Sequence, residues 1–146
     1  MNGYLLDTNV LVALWWPSHT QHDAALRWFT RHRARTWATC PLTESAFVRI
    51  VSNPAFSRDA VTPREAVGLL SANTRAADHV FWPADLAIGD AAGAAGARLV
   101  GHQQVTDTYL LALAMKRGGL VATLDQGLPA LTLPRSAERR AIEVID

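Results

Sequence analysis

The stretch that decides the fold is Gly3-Tyr4-Leu5-Leu6-Asp7-Thr8-Asn9-Val10-Leu11-Val12-Ala13-Leu14. Residues 3–6 form a short apolar run, as a strand buried on both faces requires. Asp7 ends the run. Val10, Leu11 and Leu14 follow at i+3, i+4 and i+7 from Asp7, the spacing of one helical face, until Pro17 stops the helix. A buried strand that ends on an acid and turns directly into an amphipathic helix is the first half of a strand–helix–strand unit.

The same pattern repeats outward from that stretch. Residues 22–33 make a second amphipathic helix, with Ala25, Leu26, Trp28 and Phe29 as its apolar side. Residues 36–40 are β-formers; Pro41 breaks them, and a helix over 43–51 follows. Residues 53–62 form a loop. Thr62-Pro63-Arg64-Glu65 then opens a helix, with Thr62 as N-cap and Glu65 completing a capping box; Val67, Leu69 and Leu70 are its apolar residues. Residues 79–82 are β-like and end at Pro83. The alanine- and glycine-rich residues 86–99 predict a helix, as do 106–116, closed by Gly118-Gly119. Residues 120–124 are a buried strand ending at Asp125, and 141–145 a last strand. This alternation predicts an α/β fold: a mainly parallel central sheet of about five strands with helices on both faces, in one domain spanning 1–146.

Composition sets the outer limits. Apolar residues make up 49% of the chain and charged ones 18%, enough apolar mass for a core and too little charge for a disordered chain. The net charge of +1 gives no whole-chain electrostatic case for nucleic acid. Thirteen of the fourteen basic residues are arginine, whose planar fork suits phosphate, although a GC-rich genome explains the same bias. Cys40 stands alone, which excludes an internal disulfide and a stapled secreted scaffold. There is no basic leader with an apolar core, and the apolar runs fall short of the ~20 residues that span a bilayer. A cytoplasmic protein with no membrane segment is expected.

Asp7, Glu44, Asp107 and Asp125 each have an ordinary structural explanation when taken singly: a helix cap, a first-turn acid or a turn residue. Their context differs from that of ordinary caps. Glu44 is followed by Phe47, Val48 and Val51, and Asp107 by Leu110, Leu111 and Ala114, at the offsets seen after Asp7. Each of these acids heads an apolar stripe that must pack on the sheet, so each faces the sheet's rim. Right-handed crossovers set helix N-termini beside the carboxyl ends of strands. All four acids are therefore expected at that edge, where open α/β folds place their sites.

Like charges raise one another's proton affinity. A hard divalent cation relieves them: Mg2+ prefers carboxylate oxygens, with Mn2+ as a substitute. No Cys/His set has zinc spacing. The expected chemistry is phosphodiester hydrolysis by a metal-activated water, without a covalent intermediate.

Leu5-Leu6-Asp7-Thr8-Asn9-Val10-Leu11 resembles the opening motif of PIN-domain proteins. Thr43-Glu44 resembles their second motif, Thr106-Asp107-Thr108-Tyr109-Leu110-Leu111-Ala112-Leu113-Ala114 their third, and Thr123-Leu124-Asp125-Gln126-Gly127 their fourth. The resemblance spans nearly the whole chain, at a length similar to VapC-type toxins of bacterial toxin–antitoxin pairs. It implies a magnesium-dependent endoribonuclease, dimeric, cutting RNA to leave a 5′-phosphate and a 3′-hydroxyl, and silenced by a cognate VapB-type antitoxin. It also implies that Asp7, Glu44, Asp107 and Asp125 hold the metal, and that Asn9 and Thr123 support them by hydrogen bonding.

Two further features have more than one reading each. Trp15 and Trp16 are either core residues or part of a groove for an antitoxin helix. Arg27, Arg31, Arg33 and Arg35 are a solvated face, a phosphate track or a surface that meets an acidic antitoxin tail. His19, His22, His79 and His102 show no ligand-like pairing with the acids and are expected to be structural. Two rival functions remain. A phosphatase of the haloacid-dehalogenase type would carry Asp-x-Asp after the first strand, where this chain has Asn9. A non-catalytic RNA- or protein-binding module of the same fold would have no need of all four acids.

Overall fold

The computed structural model describes residues 2–95 and 99–146. Its sheet is wholly parallel, with β1 (Tyr4–Leu6), β2 (Trp37–Thr39), β3 (His79–Phe81), β4 (Leu120–Thr123) and β5 (Ile142–Val144) in the order β3-β2-β1-β4-β5. Leu5 pairs with Ala38 on one side and Val121 on the other, and Leu6 pairs with Ala122. The chain builds outward from β1 to β3, then crosses to the opposite side for β4 and β5. Strand order therefore reverses between β1 and β4, the kind of point where open α/β sheets leave a crevice at their carboxyl ends.

Seven α-helices connect these strands among the described residues: α1 (Thr8–Trp15), α2 (His22–His32), α3 (Pro41–Val51), α4 (Pro63–Thr74), α5 (Ile88–Ala95), α6 (Val105–Lys116) and α7 (Ala137–Arg140). Short 3₁₀ turns lie at His102–Gln104 and Leu128–Leu131. The helix expected over 86–99 is α5; residues 96–98 lie outside the described residues.

The two-residue period of a strand creates two cores. Tyr4 and Leu6 point to one face, against Val10, Leu11 and Leu14 of α1, Trp28 of α2, Phe47 and Val51 of α3, and Leu70 of α4. Leu5 points to the other, with Ala38, Val121 and α6. In α6 every residue from Thr108 to Ala114 is buried, the mark of a helix covered all round.

Three expectations need correction. α3 starts at Pro41, two residues before the expected helix. Proline suits a first helical position because no N–H is needed there, and the Thr43 hydroxyl accepts from the Cys40 backbone N–H at 3.1 Å. Leu26 and Val67 are 44% and 49% exposed. Ala25 with Trp28, and Ala66 with Leu70, carry the buried faces of their helices instead. Apolar spacing fixes which residues share a face, but not how the face is rotated toward the sheet.

Candidate active site at the carboxyl edge of the sheet

Asp7 is the first residue after β1 and the N-cap of α1. Its Oδ1 accepts from the Thr8 N–H at 2.7 Å, and its Oδ2 accepts from Thr123 Oγ1 at 2.7 Å. Thr123 ends β4, the strand beside β1, and is fully buried. Its hydroxyl also accepts from Asn9 Nδ2 at 3.3 Å and from the Asp125 N–H at 3.0 Å. One donation and two acceptances use all of its capacity. Asn9 reaches Asp7 Oδ2 with the same amide nitrogen at 3.4 Å, and its Oδ1 accepts from the Leu124 N–H at 3.1 Å. Asn9 and Thr123 thus stitch the end of β1 to the end of β4.

Burial raises the proton affinity of Asp7, and the charge of Asp125 adds to it; the bonds from Thr123 and Thr8 oppose both. Asp107 lies in the first turn of α6. Its pKa is pushed up to about 6 by burial first, then by the charges of Asp7 and Asp125. A helix N-terminus favours a carboxylate by about 0.3–1 kcal/mol, and here burial and the like charges outweigh that. Asp125 is anchored by its own turn, Oδ1 accepting from the Gly127 N–H at 2.8 Å. The three aspartates, drawn from β1, α6 and the end of β4, share one negative field.

Glu44, in the first turn of α3, has different neighbours. Thr39 Oγ1, at the end of β2, donates to Glu44 Oε2 at 2.9 Å. Thr39 Oγ1 also lies 2.7 Å from His79 Nε2. The imidazole's proton affinity is lowered by burial, with the charge of Glu44 pulling the other way. His79, expected to be structural with no link to the acids, therefore stands one hydroxyl away from one of them.

The acids share a rim without yet forming a ligand shell. Among the described residues, no three His, Cys, Asp or Glu side chains are drawn together tightly enough to hold a metal ion. Asp7, Asp125 and Glu44 each have an oxygen committed to a neighbouring N–H or hydroxyl. The donor chemistry nevertheless fits a hard divalent cation. The ligand atoms on offer are carboxylate oxygens, and Asp107 is held near pKa 6 by burial and then by the charges of Asp7 and Asp125, the last two being of the kind a bound cation offsets.

A family model for the PIN domain matches residues 4–132. The chain belongs to the PIN-domain family. Among curated proteins, this PIN domain is 46% identical over 126 residues to Ribonuclease VapC39 of Mycobacterium tuberculosis, a match covering 85% of this chain and 89% of that protein. It is 38% identical over 141 residues to Ribonuclease VapC38 of the same organism, covering 97% and 96%. To Ribonuclease VapC44 it is 36% identical over 135 residues, covering 92% and 94%. The matched region of the PIN domain includes all four acids together with Asn9 and Thr123.

Trp15 packs edge-on against Trp37 and Phe47, and Trp16 against Phe56, so both rings are partly covered by the chain itself. The last residues of the arginine stretch lie toward the amino end of the sheet. His32 contacts Tyr4 at the start of β1, and Arg33 pairs with Asp78 just before β3 at 3.3 Å. The end of the stretch therefore sits opposite the acids. No helix among the described residues is long and apolar enough to cross a membrane.

Proposed function

We propose that this PIN domain is a magnesium-dependent endoribonuclease, the toxin of a VapBC-type pair. The observation that carries the proposal is the shared field of Asp7, Asp107 and Asp125 at the point where strand order reverses, in a chain whose relatives are named Ribonuclease VapC. Asp7, Glu44, Asp107 and Asp125 would hold Mg2+, or Mn2+ in its place. When bound, the cation supplies Lewis acidity and neutralises phosphate charge.

The chain's own groups do the rest. Thr123 and Asn9 fix the orientation of Asp7 and hold the β1 and β4 ends together. One carboxylate of the four accepts the proton of the attacking water, so the RNA phosphodiester is cut with no covalent intermediate, leaving a 5′-phosphate and a 3′-hydroxyl. In this role residues 1–146 work as one unit, in the cytoplasm, as a homodimer that a VapB-type antitoxin silences.

The test is incubation of the purified protein with total RNA in magnesium, in EDTA, and as Asp7→Asn. Cleavage in magnesium alone is expected. Cleavage that survives both EDTA and the substitution would overturn the mechanism. A short upstream gene with a DNA-binding N-terminal segment is the expected sign of the antitoxin.

A further inference from the structure

We infer that Thr39 and His79 are positioning residues for Glu44, forming a hydroxyl relay from the sheet's edge strand to the fourth carboxylate. The inference rests on the proposed role of Glu44 as a metal ligand and extends it to residues outside the four motifs.

Thr39 is fully buried at the end of β2. A threonine hydroxyl has one proton, so its two close neighbours cannot both receive it. With Glu44 Oε2 at 2.9 Å accepting that proton, the His79 nitrogen at 2.7 Å must face the hydroxyl as a donor. In that tautomer His79 Nε2–H donates to Thr39 Oγ1, and Thr39 Oγ1–H donates to Glu44 Oε2. In the other tautomer, where the second ring nitrogen carries the proton toward the Thr74 carbonyl, the hydroxyl turns to His79 and Glu44 loses its donor.

The imidazole is itself held. Its ring lies 4.6 Å from the Trp37 ring, tilted 55°, and Trp37 and His79 are register partners between β2 and β3. Trp37 in turn touches Trp15 and Phe29 edge-on, which ties the histidine to the core. The other acids are built differently: Asp7 has Thr123 and the Thr8 N–H, and Asp125 has its own turn. Glu44 has the longest side chain and the most rotamer freedom to lose. Tethering Oε2 fixes that side chain and leaves Oε1 to the site. Partners that orient metal ligands typically change affinity by about 10–100-fold when removed.

The experiment titrates Mn2+ alone into the intact protein by calorimetry, without RNA, and measures melting of the metal-free protein beside it. Thr39→Val and His79→Phe are expected to weaken Mn2+ binding about tenfold, the lower end of the range for such partners. Thr39→Ser, which keeps the hydroxyl, should bind like the parent. RNA cleavage should follow the same order at limiting Mn2+ and recover when Mn2+ is saturating. Glu44→Gln serves as the control. If it weakens Mn2+ binding while folded Thr39→Val and His79→Phe bind like the parent, the relay is overturned and the nuclease proposal stands. If Glu44→Gln itself binds like the parent, Glu44 is no ligand and the relay falls with it; Asp7→Asn reports separately on the nuclease. Should Thr39→Val fail to fold, His79→Phe on the edge strand decides alone.

Discussion

Thr123 Oγ1 donates to Asp7 Oδ2 at 2.7 Å, joining residues 116 positions apart in the chain. This bond is the main hydroxyl support of a carboxylate that burial would otherwise drive toward its neutral form. Thr123→Val removes it, leaves the Asp125 N–H without its acceptor and leaves Asn9 Nδ2 only its longer contact to Asp7 Oδ2. A stability loss of about 1–3 kcal/mol is expected, with RNA cleavage reduced at least about tenfold. Thr123→Ser should retain most of both. Chemical denaturation and a cleavage assay check this; a Thr123→Val protein as active as the parent would contradict it.

Asp107 makes stability depend on pH in a defined direction. Its pKa is 3.8 ordinarily and about 6 in the fold. Between those values the folded chain binds more protons than the unfolded one, so stability falls as pH rises through the window, and the penalty is complete above it. Asp107→Asn removes the penalty. For a half-buried group screened by solvent the gain is about 1 kcal/mol, or roughly 2–4 °C in Tm, at neutral pH and above. Below about pH 4 the gain should vanish. Melting curves at the two ends of the range decide the matter, and an equal gain at both would show that the shift has another origin.

Divalent cations should act on the same residue. Magnesium is expected to raise the Tm of the parent, EDTA to reverse the rise, and Asp7→Asn to reduce it. The carboxyl carbon of Asp107, followed by NMR, should titrate with a midpoint near 6 in EDTA and lower in magnesium, because a nearby cation favours the charged form. An unchanged midpoint would place the metal away from Asp107.

Two glycines give opposite predictions. Gly68, inside α4, has nothing within 4 Å of the position a Cβ would take. Gly68→Ala should therefore add about 0.5–1 kcal/mol of helix stability. At Gly119 a Cβ would sit 2.5 Å from the Gly3 carbonyl oxygen and 2.7 Å from the Trp82 ring. β1 and β4 cannot separate there without losing the register that sets Asp7 beside Thr123, so Gly119→Ala should cost about 1–3 kcal/mol or more. Equilibrium unfolding of the two variants checks both signs.

The parts of the fold legible in sequence were the local ones. The 3–6 run, the stop at Asp7 and the Val10–Leu11–Leu14 stripe lie within one stretch of chain, and the strand and helix they predict are β1 and α1. The edge shared by the acids followed from crossover handedness, which needs only element order. Asn9 and Thr123 were reachable only through the resemblance to PIN domains, since their partners lie on another strand. His79 was missed for the same reason. Its approach to Thr39, 40 residues earlier, depends on the β2–β3 register, and no local pattern encodes a register between parallel strands. The exposed Leu26 and Val67 show the remaining gap: helical spacing defines an apolar face, while tertiary packing selects its rotation.

The Asp7–Thr123 bond also sets an order of events in time. Thr123 is synthesised 116 residues after Asp7, about 6–23 s later at ordinary translation rates. Until β4 docks against β1, Asp7 has neither its hydroxyl donor nor the neighbouring charge of Asp125. A nascent chain therefore carries its first acid long before it can use it, and the activity proposed for this protein switches on only when the sheet closes.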